Sequence, residues 1–216
     1  MQKRSLVILN VIVVSVLVMV SINLLAQEDS TQKSTQTNPL KPDSLLISFE
    51  GDESIGWLGV SDTIMEGGKS QVTVTIDSIG TEGSSHSLRM TGAVIMGQNP
   101  YVMFAGAASR FWKDGEVIYD LSDFTGVHFW AKGDGNTYRI ELPTASIKDY
   151  MYYSFAFSPP SGEWKEYKIP FKGFKQMPYG AKVPWTATDV QGIHFMTVGG
   201  PIEKFALNID QIGFYK

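Results

Sequence analysis

From Ser44 onward, apolar and polar residues alternate with a period of two. In "QVTVTI", Val72, Val74 and Ile76 fall on one face and Gln71, Thr73 and Thr75 on the other, the signature of a half-buried strand. "SLLISFEG" reads as a strand that stops at an acidic turn, and "HSLRMTGAV" and "YVMFAGAA" as the next two. In "FTGVHFWAKGDGNTYRIEL", Gly133-Asp134-Gly135-Asn136 places turn residues between two alternating runs, which predicts a hairpin. "YMYYSFAF", "EWKEYKIPF", "GIHFMTVGG" and "KFALNIDQIGFY" continue the pattern. No segment carries a sustained stripe of helical period. Short strands at this spacing, punctuated by Gly and Pro, predict an all-β chain folded as an antiparallel β-sandwich of jelly-roll type over residues 45–216.

The N-terminal residues follow a different pattern. Lys3 and Arg4 precede an apolar run from Leu6 to Ala26, the layout of an export signal with cleavage after Ala26. The same run is nearly long enough to remain as an uncleaved membrane anchor. Residues 27–44 are rich in Ser, Thr, Gln and Pro and hold too little apolar surface to order themselves, so they read as a flexible linker. Either fate of the leader puts the sandwich outside the cytoplasm, periplasmic or extracellular. After cleavage, no membrane contact is expected.

Composition narrows the chemistry. A net charge of −4 without a basic block disfavours nucleic acid, whose phosphates need clustered Lys and Arg. The absence of cysteine removes thiol catalysis, disulfides and zinc–thiolate sites. Gly67-Gly68-Lys69-Ser70 matches the tail of a phosphate-binding loop, but Thr63 stands where the first glycine should be. An alternating strand also follows where a helix is required, so no nucleotide is expected. The glycine pair fits a tight turn or a close backbone approach better.

The stretch "WLGVSDTIMEGGKS" resembles the signature of the complex I intermediate-associated protein 30 domain, with Trp57, Asp62, Ile64, Met65, Gly67, Gly68 and Ser70 at the matching positions. Glu66 interrupts it, because the family passes from Met directly to Gly-Gly. "DLSDFTGVHFWAKGDGNTYRIEL", "GEWKEYKIPFKGFKQ" and "KFALNIDQIGFY" fit as well. The chain is also similar to family 11 carbohydrate-binding modules in "ISFEG", "SGEWKEYKIPFKGF", "VQGIHFM" and "IDQIGFY". Both resemblances imply a galactose-binding-like sandwich whose sheet face or loops bind sugars or protein partners. The mitochondrial assembly role does not carry over to an exported chain.

Strand alternation supplies candidate ligand residues. With Val127, Phe129, Ala131, Tyr138, Ile140, Leu142, Tyr153, Phe155, Phe157, Ile193 and Phe195 inward, His128, Trp130, Arg139, Glu141, Tyr152, Ser154, His194 and Met196 point outward. If these strands share a sheet, one outer face gathers His128, Trp130, Arg139, Glu141, Tyr152 and His194. That mixture suits a sugar groove, where aromatic rings stack on a pyranose and polar groups bond its hydroxyls. The alternative is a face covered by a loop. Trp112, Tyr179 and Trp185 form a second aromatic set.

The resemblance further implies a structural calcium between the first and last strands, with Glu50 and Asp210 as ligands and Asp52 assisting. The alternative is that Glu50 caps a turn and Asp210 bonds backbone amides. No second outward carboxylate accompanies Glu141 for glycosidase chemistry, and no nucleophile turn accompanies the three histidines, so the chain reads as non-catalytic. A glycan is the expected partner, and an envelope protein partner is the alternative.

Overall fold

The computed structural model describes residues 46–51, 55–111 and 117–216. Twelve strands form in chain order: β1 Leu46–Ile47, β2 Ile55–Ser61, β3 Gln71–Asp77, β4 Ser87–Val94, β5 Ala105–Phe111, β6 Gly126–Lys132, β7 Tyr138–Leu142, β8 Tyr153–Phe157, β9 Lys165–Pro170, β10 Lys175–Gln176, β11 Gly192–Thr197 and β12 Ile202–Tyr215. They make two antiparallel sheets. The first runs β3-β4-β12-β6-β9, with β1 also on β12, and the second runs β10-β8-β7-β11-β5-β2. The predicted antiparallel sandwich is therefore present. Among the described residues, consecutive strands pair directly only at β3–β4 and β7–β8. Most other connections cross from one sheet to the other.

One crossing corrects the hairpin expected at Gly133–Asn136. β6 belongs to the first sheet and β7 to the second, so this turn is a corner between layers. Asp134 explains the departure. Its carboxylate accepts the Asn136 amide at 2.9 Å, the Tyr138 hydroxyl at 3.0 Å and the Ala206 amide at 2.7 Å. The corner is thus tied to β12 instead of closing on β6. Burial and the neighbouring Asp134 carboxylate push the Tyr138 phenol far above its ordinary range, so it stays a hydrogen-bond donor.

The inward residues named from alternation do line the core. Phe129 and Phe195 are fully buried, and their rings meet edge to face at 5.3 Å. Phe157 and Tyr167 complete the cluster at 5.1 and 5.4 Å from Phe129. Phe129 comes from the first sheet and Phe195 from the second, so these rings join the layers. Burial of each such ring contributes roughly 1.5–3 kcal/mol.

The Gly-Gly-Lys-Ser segment is a closed clasp. Ser70 donates its amide and its hydroxyl to Asp62 at 2.9 and 2.6 Å, and both residues are 1% exposed. The Ser70 hydroxyl in turn accepts the Ile95 amide at 3.1 Å. Gly67 adopts φ +79°, where only glycine is unstrained. A side chain at Gly68 would collide with the Asp62 carbonyl. Glu66 sits exposed in the turn, where an extra residue is accommodated without entering the clasp.

Candidate functional site

The six outward residues fall into two groups because β6 and β7 lie in different sheets. His128 and Trp130 are on the first sheet, whereas Arg139, Glu141, Tyr152 and His194 are on or beside strands of the second. The single face expected from alternation is therefore two faces on opposite sides of the sandwich.

On the second sheet the register builds one row across all six strands: Leu58, Ala108, His194, Glu141, Ser154 and Lys175. The adjacent row brings Val60, Gly106, Met196, Arg139 and Ala156 together. Small residues occupy much of this face, and the Met196 thioether lies against Gly106. An ionic cluster stands at its centre. Arg139 Nε donates to Glu141 Oε1 at 2.6 Å, and His194 Nδ1 lies 3.5 Å from Glu141 Oε2. Glu141 is buried although it points away from the core. Burial by itself would raise its carboxyl. The contacts from His194 and Arg139 outweigh that effect and hold it below the ordinary glutamate range. Arg139 and His194 keep 24% and 15% of their side chains exposed, so both remain within reach of solvent.

Tyr152 corrects a second expectation. It is only 5% exposed and packs edge to face on His194 at 5.7 Å, so its ring supports the imidazole and offers no open stacking surface. The segment before β8 also carries Tyr150, the first residue of the "YMYYSFAF" run, which was not named among the ligand residues. Its ring meets Tyr152 at 6.1 Å. A neighbouring loop carries Tyr179, 67% exposed, and is pinned to the first by the Ala181 amide on Asp149 at 2.8 Å. Trp185 instead packs inward against Tyr153 and Phe171, both at 5.3 Å. Trp112 and Asp52 lie outside the described residues.

The outer face of the first sheet is built differently. His128 lies over Gly213, where any side chain would strike its imidazole, and burial lowers the His128 pKa. Trp130 pairs across strands with Asp210 and Glu166 and is half-buried. The segment after β3 folds over this face, with the Thr81 amide on Asp210 Oδ2 at 2.9 Å. Asp77 accepts from Arg89 and Asn208 at 3.0 and 3.1 Å. Its carboxyl is lowered, chiefly by the Arg89 hydrogen bond.

Glu50 and Asp210 both hold that same segment. Glu50 Oε1 accepts the Ser84 hydroxyl and the Ser85 and His86 amides, each at 2.8 Å, and Asp210 Oδ1 accepts the Gln211 amide at 2.7 Å. The Ser84 hydroxyl foremost, then the His86 amide, bring the Glu50 pKa down to about 2. This donor set anchors a loop. A calcium ion needs about six to eight oxygens, and among the described residues no three acidic or imidazole groups converge. As arranged, the pair does not fit the cation.

The complex I intermediate-associated protein 30 family model matches residues 47–209, and the chain belongs to that family. Its fold is that of carbohydrate-binding modules. A family 11 module of a cellulosomal cellulase of Clostridium thermocellum superposes with a TM-score of 0.60 at 20% identity, covering 80% of this chain and 94% of that one. A family 11 module from the same organism in complex with a β-1,3-1,4-mixed-linked tetrasaccharide gives 0.59 at 19%, covering 80% and 95%. A family 30 module of another cellulosomal cellulase from Clostridium thermocellum gives 0.55 at 15%, covering 80% and 98%. No curated protein sequence matches the chain.

Proposed function

We propose that this protein is a non-catalytic carbohydrate-binding domain whose ligand lies on the outer face of the second sheet. The observation that carries this reading is the cluster Arg139–Glu141–His194. A buried carboxylate holds one nitrogen of Arg139 and lies against one of His194, and both partners stay partly exposed. Fixed donors above small residues match the hydroxyls of a sugar chain, and Tyr179 on the rim supplies an exposed ring. Both oxygens of Glu141 are engaged, by Arg139 and His194, and among the described residues no second carboxylate joins the cluster, which supports binding over hydrolysis. The proposal includes export by residues 1–26 and display of the domain on the 27–44 linker.

Affinity electrophoresis on neutral and acidic polysaccharides tests it. Retardation should be lost in Arg139→Ala and His194→Ala and kept in a His128→Ala, Trp130→Ala pair. Wild-type mobility unchanged by every polysaccharide would sink the reading. The alternative partner is an envelope protein, favoured by Leu58, which projects from edge strand β2 at 70% exposure beside Val60. A stoichiometric envelope partner retained in excess sugar and lost in Leu58→Asp would favour it. Calcium at Glu50 and Asp210 enters only as a secondary proposal, since the ion would have to displace the amide bonds described above.

A further inference from the structure

Among the described residues, Tyr150 is one of four non-glycine residues with positive φ, at +60°. A bulky side chain in this left-handed region is strained, and such residues persist only where the surroundings impose them. Here the surroundings are explicit. Asp149 Oδ1 accepts the Met151 amide at 3.2 Å and Oδ2 accepts the Ala181 amide at 2.8 Å, so one carboxylate fixes both sides of the residue and a second loop. Gly180, at φ +79°, packs so close to Asp149 and Met151 that no side chain would fit there. The Tyr150 ring, half-buried, then leans edge to face on Tyr152, and Tyr152 on His194. A continuous line of contacts runs from Tyr150 through Tyr152 and His194 to Glu141 and Arg139.

We infer that Tyr150 is a specificity-determining residue of the carbohydrate site. It is an aromatic platform held in a strained backbone, joined through Tyr152 to the His194 and Arg139 donors, and its ring takes the apolar face of a sugar ring. The inference rests on the carbohydrate reading above and adds to it an aromatic residue not among the six named from alternation. A turn residue without a ligand role would gain from relief of the strain, lose only its edge contact with Tyr152 and leave affinity unchanged. A platform would gain stability and lose affinity.

The full-length protein should be compared with Tyr150→Gly, Tyr150→Phe and Arg139→Ala by thermal unfolding and by titration with β-1,3-1,4-mixed-linked glucan. Any other polysaccharide that retards the wild type in the electrophoresis panel is titrated in the same way. Tyr150→Gly should unfold roughly 2 °C higher, the relief being partly offset by the greater freedom of the unfolded glycine. It should bind about tenfold more weakly. Tyr150→Phe keeps the ring and should match the wild type in both measurements. Unchanged affinity in Tyr150→Gly, alongside weakened binding in Arg139→Ala, overturns the role of Tyr150 and leaves the site standing. A lower unfolding temperature in Tyr150→Gly overturns the strain. Absence of binding by the wild type to the whole panel removes both the site and the platform.

Discussion

The two outer faces of the sandwich are made from the same kinds of residue, yet they differ in where their polar groups are spent. On the first sheet, Asp77, Arg89, Asn208 and Asp210 bond one another or the segment after β3, and the His128 imidazole lies over Gly213. On the second sheet, one buried glutamate takes a single nitrogen from Arg139 and lies against one of His194, and both partners stay partly exposed. Residue type alone does not separate a covered face from a binding face. The separating feature is whether polar valences are closed within the protein, because a ligand gains only from those left open.

The largest effect should come from removing the charge that organises the second face. Glu141→Gln leaves Arg139 without its partner in a mostly dry setting and should cost about 2–3 kcal/mol, reduced from the fully buried case by the guanidinium's exposure. Chemical denaturation of the variant measures it. A loss no greater than that of Asp77→Asn on the opposite face would erase the contrast between them. The folded Glu141 carboxyl titrates below its unfolded counterpart. Its contribution is therefore complete above the unfolded pKa and fades as pH falls through the folded one, and the acid limb of wild-type stability should be steeper than that of Glu141→Gln.

Next comes binding. Arg139→Ala should weaken glycan affinity by about tenfold or more, whereas Lys168→Ala, over the Tyr215 ring on the first face, should change it less than about twofold. A smaller effect belongs to Glu50. With its pKa at about 2, its contribution is present above the usual glutamate value and is lost between about pH 4.5 and 2. Glu50→Gln should flatten thermal stability over that window and leave it nearly unchanged at pH 7 relative to pH 5. The smallest shift is expected from calcium. Its addition against a chelator should move the unfolding midpoint by less than about 1 °C, because amide donors already occupy Glu50 and Asp210. A clear rise would show that the loop rearranges around the ion.

Much of the fold was legible because alternation reports directly which side of a strand is dry. Phe129, Ile140 and Phe195 were assigned inward from period two and are fully buried. The family signature was equally legible, since Gly67 and Gly68 serve a turn and a close approach that no other residue could make. The site was legible only in part. Arg139, Glu141 and His194 were placed outward and do meet, but alternation carries no information on which sheet a strand joins, and so His128 and Trp130 were grouped with them. The turn residues Gly133–Asn136 suit a hairpin and a corner equally. The decision came from Asp134 reaching Ala206, a contact 72 residues along the chain. Tyr150 was read as the first residue of an alternating run and escaped notice because its placement depends on two loops clasped by Asp149, contacts that alternation does not report.

The pairing of Leu46 with Gly213 has a mechanical consequence. Incoming and outgoing chain lie side by side, about one strand spacing apart, and leave toward the same end. Tension applied between Leu46 and Lys216 would peel this ladder bond by bond, as a zipper opens, instead of shearing several bonds at once. The same adjacency makes the sandwich a unit that could be spliced into a longer polypeptide with little disturbance to the host on either side.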